Sequence, residues 1–474
     1  MRTHIALLVI LTLAGCAIGP DYRRPTVDTP KTWRVEEPEA KDLANTVWWE
    51  QFNDPVLNDL IQTALKENYD LKIAAARVEE FVGQYWVARS GFFPQIYGGG
   101  SGGQQRASER GPTPISGTMR NPATIYEASF NGSWEIDVWG RLRRLTEAAR
   151  ADLLSTEEGR RAVILTLVAS VANGYVNLRD LDKQLEIAIS TAKTREGSYK
   201  LFTLRFEAGI ISEVELTQVK SEYEQALARV PFIRKQVTQQ ENGLSVLLGR
   251  NPGPIARGKS IDELVLPAVP EGLPSELLER RPDIRQAEAD LIAANARIGA
   301  AKALYFPTIS LTGAFGWSST NLSSLFTGPA QAWAWAGTFA GPVFTGGAVT
   351  GNYWASEAIQ QQTLFQYQKV IQNAFREVDD ALTDQKQTRE QLEAQKRQVT
   401  ALTDYARLAR LRYDEGYTSY LEVLDAERSL FNAQLEYAQS QGVLFQALVN
   451  LYKAMGGGWV TQADKMTAET KKGE

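Results

Sequence analysis

The spacing of apolar residues changes along this chain, and one of its two patterns is that of β-strands. Between Ile125 and Asp137 apolar and polar residues largely alternate, so that a strand here would have one apolar and one polar face. The segment from Thr308 to Trp317 alternates in the same way, and aromatic residues share one face between Trp333 and Phe339. With a further strand flanked by Phe92 to Tyr97, the pattern predicts four strands.

The other pattern predicts long coiled-coil helices, because mainly apolar residues follow one another at alternating steps of three and four. The two series are Leu216, Val219, Tyr223, Ala226, Val230, Ile233, Val237, Gln240 and Leu244, and Val423, Ala426, Leu430, Ala433, Tyr437, Ser440, Leu444, Ala447 and Leu451. A helix from about Arg141 to Phe206 would extend about 100 Å, too long for one compact domain. Gly209 and Gly416 lie at matching positions, where a left-handed glycine ends a helix at little cost. We therefore expect two helical hairpins that turn at these glycines.

The chain contains this plan twice. Residues Asp70 to Pro94 recur as Asp283 to Pro307, and residues Leu204 to Gly249 recur as Leu411 to Gly456, in both cases without a gap. The predicted fold class is therefore mixed and mainly α, with an internal two-fold repeat. Four strands cannot close a membrane barrel, because even the narrowest need about eight. A membrane-spanning form would require several subunits to pool their strands.

The first residues have the features of an export signal. Arg2 supplies a positive charge, Ile5 to Leu13 form a short apolar run, and Leu13-Ala14-Gly15-Cys16 ends that run in small residues. The order L-A-G-C resembles the bacterial lipobox, whose cysteine becomes the lipidated first residue of the mature protein. Cys16 is also the only cysteine of the chain. An ordinary secretory signal with an incidental cysteine is the alternative.

No later stretch is predicted to cross a membrane as a helix. Ala162 to Ala172 is apolar but ends at Asn173, well short of the about 20 residues that a bilayer requires. A crossing would then need strands in a closed barrel, which satisfies every backbone group in lipid. The alternation of the predicted strands is typical of outer-membrane strands, and a soluble sandwich with one wet face is the alternative.

Composition argues against an enzyme and against nucleic-acid binding. The net charge is −5 and basic residues are dispersed, so no basic face for a nucleic acid is predicted. His4, the only histidine, lies in the predicted signal, which leaves no Ser-His, Cys-His or histidine-metal chemistry in the mature chain. The sequence has no G-x-S-x-G elbow, H-E-x-x-H motif or P-loop. We predict no catalytic residues, no metal and no cofactor besides lipid on Cys16, and an envelope hydrolase is the alternative.

Seven motifs carry a resemblance to a known family. They are the lipobox, G-P-D-Y-R-R-P at Gly19 to Pro25, W-W-E-Q-F-N-D-P-V-L at Trp48 to Leu57, R-R-P-D-I at Arg280 to Ile284, Y-F-P at Tyr305 to Pro307, G-P-V-F-T-G-G at Gly341 to Gly347 and Y-L-E-V-L-D-A at Tyr420 to Ala426. Together they resemble the outer-membrane factors of tripartite efflux and secretion systems, of TolC and OprM type, in the lipoprotein (NodT-type) branch. The resemblance covers nearly the whole chain after the signal.

The resemblance implies a homotrimeric tunnel in the outer membrane. Three chains would form a 12-stranded transmembrane β-barrel, and their coiled-coil hairpins would form an α-barrel about 100 Å long in the periplasm. The lipid on Cys16 would anchor the tunnel, and Ala17 after it favours the outer over the inner membrane. The predicted divisions are a signal peptide at 1–15, a lipidated N-terminal segment and equatorial region at 16–60, structural repeats at 61–260 and 261–456, and a C-terminal tail at 457–474.

The implied function is that of an exit duct, which carries drugs or other toxic organic solutes from the periplasm to the outside. The implied partners are a periplasmic membrane-fusion adaptor, a proton-driven inner-membrane pump and outer-membrane lipid, with no nucleic acid. A structural coiled-coil lipoprotein of the envelope and the exit duct of a protein secretion system are the alternatives. Met119, Met455 and Met466 are the only methionines after the signal, and this scarcity of soft ligands favours organic solutes over copper or silver.

Two groups of polar residues are candidates for the work of a channel. Lumen-facing residues of the second strand are expected to be Glu127, Asn131, Glu135 and Asp137, although polar residues that only solvate a sheet would look the same. Glu422 and Asp425, three residues apart on one helix face, are candidates for a periplasmic gate. In the resembled family, acidic residues at these positions form rings at the narrow periplasmic end. A solvated coiled-coil face is the alternative.

The resemblance also assigns roles to residues around the two turns. Tyr413 matches a family tyrosine that helps to lock the closed state, whereas Thr418 replaces an arginine that belongs to this lock in some members. The turns resemble the adaptor-docking tips of the family, and the tip residues are Gly209, Ile210, Ile211, Gly416 and Tyr417. We expect both isoleucines to be exposed, which would favour a partner over a simple turn.

Overall fold

The chain folds into long helices and one antiparallel sheet. The computed structural model describes residues 17–35, 46–108, 110, 120–270 and 274–469, so the predicted signal peptide and Cys16 lie outside the described residues. The elements are α1 Pro55–Glu67, α2 Tyr69–Ser90, β1 Gln95–Gln105, β2 Ala123–Ile136, α3 Arg141–Glu207, α4 Glu213–Leu247, α5 Leu277–Arg280, α6 Pro282–Ala303, β3 Thr308–Ser319, β4 Gln331–Ala340, α7 Ala348–Asp414, α8 Tyr420–Met455 and α9 Trp459–Glu469. A short 3-10 helix, Trp48–Phe52, precedes α1.

The internal repeat is confirmed by the order and the lengths of the elements. The succession α2-β1-β2-α3-α4 recurs as α6-β3-β4-α7-α8. The short helices α2 and α6 both have 22 residues, and the long helices α3 and α7 both have 67. The return helices α4 and α8 have 35 and 36 residues. The mixed, mainly α fold is therefore built from two copies of one unit.

The sheet has one apolar and one polar face, as the alternation predicts. Its order is β1-β2-β3-β4, all antiparallel, and β1 and β4 are its edges. Phe130 lies opposite Phe315, and Phe315 lies opposite Trp333, so an aromatic row crosses three strands. Side chains directly opposite in neighbouring strands share a face. The row of Glu135, Ser310 and Thr338 lies on the other face.

The coiled-coil series lie at the packed faces of α4 and α8. No member of either series is exposed, and Val219, Ala226, Val423 and Ala426 are fully buried. Helix α8 buries more than one series, because further apolar residues pack against α3. Phe431, for example, lies in a cluster with Ala188 and Ala192 of α3. A single heptad pattern therefore underestimates the contacts of α8.

The described chain divides into two compact units. The first contains residues up to Thr26, 77–156 and 286–367, which include the sheet; the second contains residues 27–76, 157–285 and 368 onward. In the second unit Trp48 stacks on Tyr452, with ring centroids 5.3 Å apart, and meets Trp459 edge-on at 6.0 Å. The segment predicted as a C-terminal tail thus contributes α9 and Trp459 to this core.

Helix α3 contains a stretch that is long and apolar enough to cross a membrane by length and composition, with a mean hydropathy of 1.3. The sequence pattern predicts that this stretch ends at Asn173 and is too short to cross a membrane. In the structure 56% of it is buried inside the protein, and Val168, Val171 and Tyr175 belong to the main core cluster. These apolar residues pack against protein, as in the core helix of a folded domain.

Candidate gate, tips and polar strand face

The two hairpins turn at glycines with left-handed backbones. Gly209 has φ +73° and Gly416 has φ +78°, which explains why glycine ends both long helices. Ile210 is 72% and Tyr417 78% exposed at these turns. The Ile211 side chain is half-buried, because it packs against the apolar cluster beneath the turn. The prediction that both isoleucines are exposed is therefore wrong for Ile211.

An aromatic cluster connects the two hairpins just behind the turns. Phe202 of α3 is fully buried, and its ring centroid lies 4.2 Å from that of Tyr420 of α8. Tyr413, near the end of α7, meets Tyr420 edge-on at 4.9 Å. Burial raises the pKa of the Tyr420 hydroxyl. Arg205 Nη1 donates a hydrogen bond to Tyr413 Oη at 2.7 Å, which ties α3 of the first hairpin to α7 of the second.

The two candidate gate carboxylates are both paired with arginine. Glu422 accepts a hydrogen bond from Arg412 Nη1 at 2.9 Å, and its other carboxylate oxygen accepts one from the Thr418 hydroxyl. Asp425 accepts a hydrogen bond from Arg428 Nη2 at 2.7 Å. The arginines around this site thus come from the long helices, and Thr418 contributes a hydroxyl donor where the resembled family has an arginine in some members.

The carboxylates line a cleft between α4 and the start of α8. The cleft has a volume of about 680 Å³. Polar and charged residues that line it are Gln218, Ser221, Glu222, Tyr405, Thr418, Ser419, Glu422, Asp425 and Arg428. The structure therefore brings Thr418, Glu422 and Asp425 together on one surface, while Tyr413 lies in the adjoining aromatic cluster.

The four polar residues predicted on the second strand have different surroundings. Glu127 and Asn131 are exposed on β2. Glu135 is bound by the Arg141 guanidinium through two hydrogen bonds of 3.0 and 2.6 Å. Asp137 lies beyond the end of β2 and caps α3, where it accepts hydrogen bonds from the backbone nitrogens of Leu142 and Arg143 at 3.0 and 2.9 Å. Glu127 and Asn131 are thus the two that extend from the strand into solvent.

Sequence reasoning missed a set of buried charges behind the aromatic cluster. Arg195 of α3 is 4% exposed, and its Nη1 lies 2.8 Å from the carboxylate of Glu222 on α4. Burial, opposed by Glu222 and Glu427, lowers the pKa of Arg195. Burial also raises the pKa of Glu427 on α8. One signal existed in the sequence, since Glu427 directly follows Ala426 of the apolar series.

A four-stranded sheet with two open edges, and two long helical hairpins that each turn at a glycine, form the architecture that the sequence resemblance implies for one subunit of an outer-membrane channel. Comparison with known proteins agrees. The model of the outer membrane efflux protein family matches residues 60–250 and 273–457, which correspond to the two repeats. The chain belongs to this family, and it is an outer-membrane efflux channel.

Two relatives and one solved structure illustrate the similarity. The chain is 38% identical over 474 residues to the toluene efflux pump outer membrane protein TtgC of Pseudomonas putida, covering 97% of each chain. It is 37% identical over 464 residues to the cation efflux system protein CusC of Escherichia coli, covering 95% of this chain and 97% of that one. The open state of the MtrE outer membrane channel of Neisseria gonorrhoeae superposes with a TM-score of 0.84 at 32% identity, covering 94% of this chain and 99% of that one.

Proposed function

We propose that this chain is the homotrimeric exit duct of a tripartite efflux system for small organic solutes, and that it acts without catalysis. The observation that carries the proposal is the open sheet. Strands β1 and β4 are both edges of a four-stranded antiparallel sheet, and unpaired backbone groups at such edges cannot remain in lipid. Pairing β4 of one copy with β1 of the next satisfies both edges, and three copies supply twelve strands.

The two faces of the sheet support a water-filled pore. Trp333, Trp335 and Phe339 are exposed on β4, and aromatic and apolar residues on one face suit contact with lipid. Glu127 and Asn131 lie on the other face of β2. In a closed barrel this face would line the pore, and its carboxylates would favour cations. Lipid on Cys16 would anchor the duct.

We propose that the tips dock a periplasmic membrane-fusion adaptor, which connects the duct to an inner-membrane pump. Ile210 and Tyr417 are exposed at turns that contribute little burial to the chain itself. Behind them, the pairs Arg205–Tyr413 and Arg412–Glu422 would hold the gate and would rearrange when it opens.

The relatives named above differ in what their names say they export, so the substrate class rests on this chain's own composition. After the signal the chain has no histidine and three methionines. Soft cations such as Cu(I) are bound by thiolate, thioether and imidazole ligands. We therefore propose organic solutes. Expression in a strain that lacks its own duct should restore resistance to dyes and solvents, and restored resistance to copper or silver alone would contradict this substrate class.

Channel formation is tested with the purified, lipidated protein in planar bilayers. We expect discrete conductance steps and a trimeric mass in detergent. Trp333→Asp places a charge on the proposed lipid face and should abolish insertion, whereas Glu127→Gln on the opposite face should insert normally. A monomer without conductance, or normal insertion of both variants, would contradict the proposal. Mass spectrometry of the N-terminal peptide tests the lipid on Cys16.

Adaptor docking is tested by site-specific cross-linking at the tips. Ile210→Asp should weaken cross-linking to the adaptor, because it places a charge in an apolar contact, while Ile210→Val should retain it. Equal cross-linking of the two variants would exclude Ile210 from the docking surface.

A further inference from the structure

The two repeats of the chain meet in the middle of the sheet. β2 of the first repeat pairs with β3 of the second, with Asn131 opposite Ala314. The remaining strands, β1 of the first repeat and β4 of the second, are the two edges. One contact in which the second strand of a repeat meets the first strand of another is therefore present inside the chain, and it serves as a template for the contact between copies.

The strand pairs inside the repeats show which positions correspond. Gln95 lies opposite Ser133 in the first repeat and Thr308 opposite Ala340 in the second, and Gln95 and Thr308 each begin their strand. A shift of 213 positions thus carries β1 onto β3, and a shift of 207 carries β2 onto β4. The sequence repeat has the same two shifts, 213 for the short helices α2 and α6 and 207 for the long helices. The correspondence holds in both sequence and strand pairing.

These shifts convert the central strand pair into a register for the edges of neighbouring copies. The pair of Asn131 and Ala314 becomes Thr338 of one copy opposite Ser101 of the next. Thr338 lies on the polar face of the sheet, and Ser101, which lies opposite Glu127, belongs to the same face. A register displaced by one residue would place a polar face beside an apolar one. The repeat therefore gives a register that keeps both faces continuous.

The ends of the two edge strands supply an apolar pair in the same register. Inside the chain Ile136 lies opposite Ile309, and both are half-buried. The equivalent positions between copies are Val343 and Ile96. Val343 is fully exposed and Ile96 is 71% exposed in the single chain. A second copy in this register brings these two apolar side chains into contact across neighbouring strands.

The helices before and after these strands have side chains of complementary size. Inside the chain Gly299 of α6 faces Arg144 of α3, and a Cβ on Gly299 would lie 2.9 Å from Arg144 Cγ. The shifts carry Gly299 to Trp86 of α2 and Arg144 to Gly351 of α7. Trp86 is 58% exposed. Among the described residues, no atom outside the adjoining part of α7 lies within 4 Å of a Cβ built on Gly351. The large side chain has changed helices, so a second copy can place Trp86 in the open space over Gly351.

We propose that neighbouring copies of this chain join β4 to β1 in the register set by the repeat, with Thr338 opposite Ser101, and place Trp86 of one copy over Gly351 of the other. The partner of this surface is thus a second copy of the same chain. Each copy contributes β4 and α7 on one side and β1 and α2 on the other, and a head-to-tail contact of this kind can close into a ring. The inference rests on the proposed channel, to which it adds the register and the contact residues.

Paired cysteines in the full-length protein, oxidised in outer-membrane vesicles, test the register. Ser101→Cys with Thr338→Cys should give disulfide-linked dimers and trimers on non-reducing gels. In one chain these residues lie on opposite edges, three strand spacings of about 4.8 Å apart. This separation exceeds the Cα distance of about 7 Å that a disulfide can span. A linked oligomer therefore requires contact between copies.

Two further cysteine pairs are matched controls. Asn131→Cys with Ala314→Cys, at the equivalent positions inside one chain, should form a disulfide without linking chains, which is detected as loss of maleimide labelling. Tyr97→Cys with Thr338→Cys tests a register displaced by four residues on the same face, or about 13 Å along β1, and should leave the chains unlinked.

The outcomes separate the register from the channel. A trimer that links through Tyr97 instead of Ser101 would overturn the proposed register and leave the channel standing. A trimer that links through neither, although the pair of Asn131 and Ala314 forms its disulfide, would do the same. A chain that stays monomeric in native mass spectrometry would overturn both.

An exchange of side-chain sizes tests the helix contact. Gly351→Trp fills the space proposed for Trp86, so it should lower the trimeric fraction in native mass spectrometry. Adding Trp86→Ala should restore the trimer because it removes the opposing ring, whereas adding Val87→Ala, a truncation of the next residue, should not. No loss of trimer with Gly351→Trp, or equal recovery by the two added changes, would overturn the contact. The cysteine pairs leave both helices unchanged, so they decide the register even if circular dichroism shows that Gly351→Trp does not fold.

Discussion

Arg205 and Tyr413 are 208 positions apart in the chain, yet the guanidinium of one donates a 2.7 Å hydrogen bond to the hydroxyl of the other. The same guanidinium lies over the rings of Phe202 and Tyr413, at 5.6 and 5.8 Å from their centroids. This single arginine thus joins the end of α3 to the end of α7. Any opening that separates the two hairpins at their tips has to break this contact.

Tyr413→Phe should loosen the tips, because it removes the hydroxyl and leaves the ring in place. A hydrogen bond to a charged group contributes about 1.5 to 3 kcal/mol, which corresponds to an increase of roughly tenfold or more in the open-to-closed ratio. Single-channel recording measures this ratio. Tyr353→Phe, at a half-buried tyrosine near the opposite end of the same helix, is the control. Equal ratios for Tyr413→Phe and the wild type would show that the bond does not hold the gate.

The ion pair between Arg412 and Glu422 should contribute less than the tyrosine contact. Their side chains are 55% and 25% exposed, and exposed pairs contribute about 0.2 to 1 kcal/mol. Glu422→Gln should therefore raise the open-to-closed ratio by at most about fivefold in dilute salt, with a smaller effect in concentrated salt. The exchanged pair Arg412→Glu with Glu422→Arg should recover most of the wild-type behaviour. A double variant as open as Glu422→Gln would argue against the pair.

Glu127→Lys should reduce the preference of the channel for cations. Glu127 is exposed on the polar face of β2, and three copies would place three carboxylates at one level of a barrel. The reversal potential under a salt gradient reports the preference, and Glu127→Gln should shift it about half as far as Glu127→Lys. If neither variant changes the reversal potential, Glu127 does not face the conduction path.

Asp180→Asn should stabilise the protein at neutral pH. Asp180 on α3 is 4% exposed, and its two oxygens both accept from Gln184 Nε2 at 3.0 Å. Burial, partly opposed by Gln184, raises the pKa of Asp180 to about 6. The fold thus favours the protonated acid, and stability is lost as the pH rises from about 4 through about 6.

At about pH 7.5 Asp180→Asn should therefore raise the free energy of unfolding by about 2 to 3 kcal/mol, and at about pH 4 it should have little effect. Thermal unfolding followed by circular dichroism at both pH values checks this. Asp182→Asn is the control. It should lower the free energy of unfolding at about pH 7.5, because Asp182 forms ion pairs with Arg179 and Arg257. A neutral or destabilising effect of Asp180→Asn at the higher pH would contradict the prediction.

Regular patterns made the architecture predictable from the sequence. The period of two in β2 and β3, the steps of three and four in α4 and α8, and the glycines at the turns each depend on local backbone geometry, which the sequence encodes directly. The long helix was expected from about Arg141 to Phe206 and is found at Arg141–Glu207.

Contacts between distant segments were not predictable in the same way. Arg205, Arg412 and Arg428 look alike in the sequence, and only the fold selects Tyr413, Glu422 and Asp425 as their partners. Ile211 was expected to be exposed, but the turn directs it onto the apolar cluster beneath. Asp137 continues the alternation of β2, yet its carboxylate caps the start of α3 by accepting a hydrogen bond from the backbone nitrogen of Leu142.

The edge-on contact of Trp48 and Trp459 in one aromatic core has a consequence for biogenesis. During export Trp48 enters the envelope well before Trp459, since 411 positions separate them. The core around them cannot form until α9 has been translocated. Until then its tryptophans are available to water and to periplasmic chaperones, so a nascent chain cut short before α9 should be a substrate for envelope proteases.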